Sequence, residues 1–143
     1  MDAASTHFLV VGHDDTRAEL ITLAILSDSV TNTLDRVSDG RQALDYLRRR
    51  GNFATARRPD VILLDLEMPQ PDGYEVLRRI KRDRDLRKIP VVVLGASNDA
   101  ADMDRAYALH ANSYLTKPAH LVKFYKMMDA VKSYWSTCNR TPH

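Results

Sequence analysis

Cysteine is almost absent from this chain: among 143 residues only Cys138 is one, so no internal disulfide can form, which fits a reducing compartment. Long apolar runs are missing as well. None reaches the roughly 20 residues that a membrane-spanning helix needs, so no contact with a membrane is implied. The stretch before Phe8 is short and polar and lacks the layout of a secretory leader. A cytoplasmic location is therefore expected. A surplus of one charge is lacking too: the net charge is +2, too small to imply nucleic acid as a partner. Repeats, low-complexity segments, a glycine-rich phosphate loop ending in Gly-Lys-Ser/Thr, and a Cys or Ser nucleophile motif are all missing. Nothing here supports an enzyme.

What is present is an ordinary globular composition, 44% hydrophobic and 28% charged, at a length that suits one domain, residues 1–143. The core is expected over about residues 7–135, and the short tail leaves no room for a separate DNA-binding domain. Arginines cluster at Arg48, Arg49, Arg50, Arg57 and Arg58, and acids alternate with bases from Lys81 to Lys88. The plain reading of both is a solvated face.

Strand-like and helix-like segments alternate. Phe8 to Val11 is a short β-branched run that reads as a buried strand, followed by a helix over Thr16 to Leu26 with Leu20, Leu23 and Ala24 inward. Thr33 to Val37 is a weaker strand, Ser38-Asp39-Gly40 a turn, and Arg41 to Arg50 a helix. Val61 to Leu64 is apolar throughout, as a central parallel strand covered on both faces should be. Asp72-Gly73 opens the third helix, Val91 to Leu94 is the fourth strand, and Asp99 to His110 the fourth helix, with Met103, Ala106, Tyr107 and His110 on one stripe. Ser113 to Thr116 is the fifth strand. The last helix follows Pro118 and aligns Leu121, Phe124, Tyr125, Met128, Val131 and Trp135.

This alternation predicts an α/β fold, five parallel strands in one sheet with five helices on its two faces. In such sheets sites form beyond the carboxyl ends of the strands. That points to Gly12 to Asp15, Asp65 to Pro69, Gly95 to Ser97, and Lys117-Pro118.

Those segments carry a resemblance. VILLDLEMPQPDGYEVLRRIK, residues 61–81, holds a strand-end Asp65, then Met68-Pro69 and Asp72-Gly73. PVVVLGAS and HANSYLTKP follow in order. Over roughly residues 7–135 the chain resembles the receiver domains of two-component response regulators. ALDYLRRRGNFATARRPD and the aromatic end of the chain are similar to stand-alone regulators of phytochrome kinases. The resemblance implies a flavodoxin-like three-layer sandwich with strand order 2-1-3-4-5, and a phosphorelay protein served by a sensor histidine kinase, phytochrome-like in this subgroup. It implies Asp65 as phosphoacceptor, Mg²⁺ as the metal, Lys117 as a phosphoryl contact and a switch built on positions 95 and 114. It also implies a cis Lys117-Pro118 bond.

The chain departs from the pattern at the metal. The two acids that the family places after its first strand align with Gly12 and His13. Glycine offers no ligand, and imidazole suits Mg²⁺ poorly. The candidate metal positions are thus His13, Asp14, Asp65 and Glu67, in a site expected to be degraded. Asp14 either swings into an acid position through a bulge at Gly12 or, the favoured reading, caps the first helix. Gly95 stands where the family has Thr or Ser, so the inward swing of Tyr114 lacks its usual partner. Ser97 lies close but one turn too far along. His110 replaces a customary glycine, a change that bears on backbone geometry more than on chemistry. Asp65 is open to two readings, a working acceptor or a leftover carboxylate paired with Lys117. Weak or absent Mg²⁺-dependent phosphorylation is expected. The alternative is a phosphorylation-independent module for protein–protein interaction. Finally, Phe124, Tyr125, Met128 and Trp135, extended by Tyr107, form an aromatic stripe too long for one sheet edge. It reads as the interface of a homodimer, the common dimer surface of the regulators resembled.

Overall fold

The computed structural model describes residues 5–27, 31–96 and 98–138. The strands are β1 (His7–Val11), β2 (Thr33–Val37), β3 (Val61–Asp65), β4 (Val91–Gly95) and β5 (Ser113–Thr116). They form one parallel sheet in the order β2-β1-β3-β4-β5. The helices are α1 (Asp15–Leu26), α2 (Gly40–Leu47), α3 (Gly73–Arg82), α4 (Ala100–Ala108) and α5 (Leu121–Ser133). The flavodoxin-like arrangement read from the sequence is the one found.

Successive strand residues point to opposite faces, and the two halves of the core follow that period. Leu9, Val11, Ile62, Leu64, Val91 and Val93 meet α2, α3 and α4, where Leu44, Val76, Leu77, Ile80 and Ala106 are buried. Phe8, Val10, Val61, Leu63, Val92 and Leu94 meet α1 and α5, where Ile21, Ala24, Ile25, Phe124 and Met128 are buried. Register then aligns the carboxyl ends: Val11 pairs with Leu64, Asp65 with Leu94, and Gly95 with Thr116. The residues just beyond these pairs share one rim.

Several local expectations need correction. Leu23 is 60% exposed, because α1 is phased by Ala18, Ile21, Ala24 and Ile25. The second helix stops at Leu47, and Arg49 takes a φ of +54°. The fourth helix stops at Ala108, short of His110, whose φ of +71° is the left-handed geometry that a glycine would otherwise supply. The cis bond lies at Gln70-Pro71 and not at Lys117-Pro118.

The α5 stripe is the largest correction. Phe124 and Met128 are fully buried and Trp135 is 9% exposed, so these three belong to the core and not to a surface patch. The sheet edge alone could not cover them. Helix α1 does, because it lies beside α5 on the same face and offers small Ala24 beside Ile21 and Ile25. Burying side chains of this size contributes about 1.5–3 kcal/mol each. Lys132 then ties the two helices: its Nζ donates to the Ser27 carbonyl at 3.1 Å, at the end of α1. The last turn, Tyr134–Cys138, loosens to a π-helix and folds Trp135 inward with Tyr134 against it edge to face. Of the expected interface residues, Tyr107 remains 50% exposed and Tyr125 half-buried.

Candidate functional site

Asp65 ends β3 and is nearly enclosed. Its Oδ1 accepts from the Glu67 backbone N–H at 2.8 Å and from Lys117 Nζ at 3.0 Å. Lys117 also meets Glu67 Oε1 at 2.8 Å. The lysine is fixed by its own backbone, whose N–H donates to the Gly95 carbonyl at 2.8 Å. Burial alone would lower the Lys117 pKa, but hydrogen bonds to Glu67 and Asp65 outweigh it and hold the ammonium above its usual value. The lysine is therefore charged at neutral pH, and the expected Asp65–Lys117 pair is present with a trans peptide before Pro118.

Gly12 faces Asp65 directly. A Cβ at Gly12 would lie 3.4 Å from Asp65 Cβ and 3.7 Å from its Oδ2, ordinary contact distances. A side chain there would thus reach the carboxylate, and glycine supplies none. The glycine backbone is held regularly: its N–H donates to the Val37 carbonyl, and Arg36 Nη2 donates to its carbonyl at 2.8 Å. Asp14 does not swing inward. It caps α1, its Oδ1 accepting from the Arg17 N–H at 3.1 Å, and Asp15 pairs with Arg36 at 2.8 Å. His13 is exposed.

Mg²⁺ takes oxygen ligands in octahedral array, one or two of them carboxylates, and keeps several waters. Among the described residues no three His, Cys, Asp or Glu side chains are placed to hold a metal ion. Of the candidates, Asp65 and Glu67 meet at Lys117, Asp14 is spent on the helix cap, and His13 stands apart. A guanidinium lies at the site instead. Arg17 stacks its Cζ 4.7 Å from the centre of the Phe124 ring. With Gly12, Asp14, Asp65 and Lys117 it lines a small cavity of about 10 Å³, room for roughly one water. Its Nη1 is buried and has no hydrogen-bond partner among the described residues.

Gly95 behaves differently from the expectation. A Cβ on it would lie 2.2 Å from the Tyr114 hydroxyl oxygen and 2.6 Å from Cζ. The tyrosine is already inward, its phenol filling the volume that a Ser or Thr side chain would take. The glycine does not deprive Tyr114 of a partner; it admits the ring. Ser97 lies outside the described residues. Two contacts had no signal in the sequence: Thr116 Oγ1 donates to Asn98 Oδ1 at 2.7 Å, and the Tyr114 N–H donates to the Tyr107 hydroxyl at 3.1 Å. A concavity of about 730 Å³ between α3 and α4 shares no lining residue with this site and is lined by paired groups such as Glu75 and Arg78.

Comparison with known proteins agrees with the rim geometry. Residues 8–129 match the response regulator receiver domain. The chain belongs to that family. Regulators of the phytochrome type are among the proteins it is similar to. It is 38% identical over 124 residues to the response regulator Rcp1 of Synechocystis sp., covering 85% of this chain and 84% of that one. A crystal structure of Rcp1 in its Mn²⁺-bound form superposes with a TM-score of 0.91 over 96% of this chain and 99% of that one, at 35% identity. The phosphorylated cyanobacterial phytochrome response regulator RcpA superposes with a TM-score of 0.93 at 38% identity, over 98% of this chain and 100% of that one. A methanogenesis regulatory protein, FilR2 of Methanothrix harundinacea, is 41% identical over 134 residues, 94% of this chain and 86% of that one. No helix among the described residues is long and apolar enough to cross a membrane.

Proposed function

We propose that this chain is a cytoplasmic response regulator for a phytochrome-like sensor histidine kinase, and that Mg²⁺-dependent phosphorylation of Asp65 is weak or absent. One observation carries the reading: Gly12 stands against the Asp65 carboxylate where a metal-binding acid would be needed. The acyl phosphate chemistry requires the carboxylate to attack a phosphorus carrying several negative oxygens. Without a metal, only Lys117 and the nearby Arg17 offset that charge, and Lys117 is already shared with Glu67. Incubation with acetyl phosphate and Mg²⁺, read by intact mass, tests this. Little or no uptake is expected. Stoichiometric, Mg²⁺-dependent uptake that Asp65→Asn abolishes would overturn it.

The Tyr114 ring over Gly95 favours a second reading, a receiver that holds one state without phosphate and acts by binding partners. Self-association through α4 and α5 belongs with it, using the accessible Tyr107 and Tyr134 and part of Tyr125. Sedimentation at micromolar concentration distinguishes dimer from monomer.

A further inference from the structure

The arginines around α2 play no part at Asp65. Between Arg41 and Arg58 the chain has six arginines and a single acid, Asp45. Arg41, Arg48 and Arg50 meet Arg79 of α3 around an open concavity of about 290 Å³, lined also by Leu44, Asp45 and Pro71. Arg79 is held in place, its Nε donating to Glu75 Oε2 at 2.7 Å. Arg36, Arg57, Arg58 and Arg78 likewise have carboxylate partners. Among the described residues no ion pair joins the side chains of Arg41 and Arg50 to a carboxylate, while Arg48 lies close enough to Asp83 to help hold its carboxyl below its usual range. A second concavity, about 450 Å³, shares Arg41, Asp45 and Arg50 and continues to Gln42, Asn52 and Phe53, with Asp39 at its edge, where its carboxylate accepts from the Gln42 N–H and caps α2.

The backbone that gathers these groups is unusual. Arg49 occupies the left-handed region, φ +54°, at a helix end where glycine is favoured, although Gly51 stands two residues on. The turn is closed by Arg49 N–H to the Tyr46 carbonyl and by Arg50 N–H to the Asp45 carbonyl, and it leaves Arg48 and Arg50 on one flank. Attraction between cations and the carboxyl end of α2 accounts for Arg48 and Arg50. It does not account for Arg41, in the first turn of the same helix, or for Arg79.

Guanidinium groups match phosphate oxygens in bidentate pairs, and several converging forks suit neighbouring phosphates better than one. An aromatic ring with two amides beside it suits a planar heterocycle. We propose that the joined concavities bind a nucleotide with at least two phosphates, the phosphates among Arg41, Arg48, Arg50 and Arg79 and the base against Phe53 between Gln42 and Asn52.

The test is a titration of the ¹⁵N-labelled chain with ADP, GDP, adenosine and inorganic pyrophosphate. Saturable shifts around Gln42, Arg48, Arg50 and Phe53 are expected with a nucleoside diphosphate, weaker binding with pyrophosphate, and none with adenosine. Arg48→Gln should weaken the nucleotide by about 10- to 100-fold, the loss of a charged hydrogen-bonding partner. Phe53→Leu should weaken the nucleotide but not pyrophosphate, while Arg84→Gln, at an exposed arginine outside both concavities, should leave nucleotide binding unchanged. Melting curves of each variant separate lost binding from lost fold, and Arg50→Gln replaces any variant that fails to fold. Three outcomes overturn the proposal: shifts that never saturate, equal loss in Arg84→Gln, or pyrophosphate binding as tightly as either nucleotide and indifferent to Phe53→Leu.

Discussion

Gly95→Thr puts a Cβ within 2.2 Å of the Tyr114 hydroxyl and 2.6 Å of its Cζ, closer than any real side chain approaches. Strand β4 is buried on both sides, so the ring must leave. A tyrosine buries about 150–250 Å², and moving roughly half of that to water costs about 2–3 kcal/mol at 25 cal/mol per Å². Partial accommodation would instead cost the 1–3 kcal/mol typical of overpacking. Threonine returns about 0.5–1 kcal/mol, since glycine weakens a strand interior. The net loss expected is about 1–2 kcal/mol, or a Tm lower by about 3–8 °C for a domain of this size. Urea unfolding measures the first quantity. The resonance of 3-fluorotyrosine at position 114, identified by its loss in Tyr114→Phe, reports whether the ring has moved out. In a Tyr114→Ala background the same Gly95→Thr change should be neutral or stabilising, because its clash is gone. A Gly95→Thr protein as stable as wild type, with the fluorine signal unmoved, would refute the reasoning.

Three further expectations follow from the packing. Lys117→Met leaves the Asp65 carboxylate enclosed without its cation and should cost about 2–3 kcal/mol, less than a fully buried pair because Glu67 is open to water. Asp65→Asn should cost less, since Lys117 keeps Glu67; urea unfolding that ranks the two variants the other way would count against this. Trp135→Ala should lose about 2–4 kcal/mol of stability with its sedimentation mass unchanged, because the indole is core rather than interface. Burial holds the His7 imidazole below its ordinary 6.5, Asp35 opposing, so the folded state prefers it neutral. Below 6.5 the unfolded chain binds the extra proton, so stability should fall as pH drops from 7 toward 5, and His7→Gln should flatten that slope in thermal melts.

Much of this architecture was legible before any coordinates. The apolar run Val61 to Leu64 can only be a strand covered on both faces, and Asp65 at its end falls on the rim where parallel sheets place their sites. The Asp14 cap is local chemistry and is found, and the Asp65–Lys117 pair, 52 residues apart, is found where the family resemblance puts both residues on one rim. What failed was information that lies between elements. Nothing near Phe124 or Trp135 says that α1 will lie alongside, so a stripe covered by a neighbouring helix reads as one awaiting a partner. Tyr114 and Gly95 meet only through the β4–β5 register, in which Gly95 pairs with Thr116. Gln70-Pro71 and Lys117-Pro118 are both X-Pro bonds, and local sequence does not say which is cis. His110 was read correctly as a backbone question, and its left-handed φ bears that out.

The central claim is that the missing acids at Gly12 and His13 disable metal-assisted chemistry at Asp65. Gly12 has room for a side chain, 3.4 Å from Asp65 Cβ. The direct measurement is therefore phosphoryl uptake from acetyl phosphate, by intact mass with and without Mg²⁺, for wild type beside the double variant Gly12→Asp, His13→Asp. The account expects little or no uptake by the wild type and a double variant that gains one phosphoryl group only when Mg²⁺ is present. A wild type that is phosphorylated as fully as the double variant, and only with Mg²⁺, would contradict it.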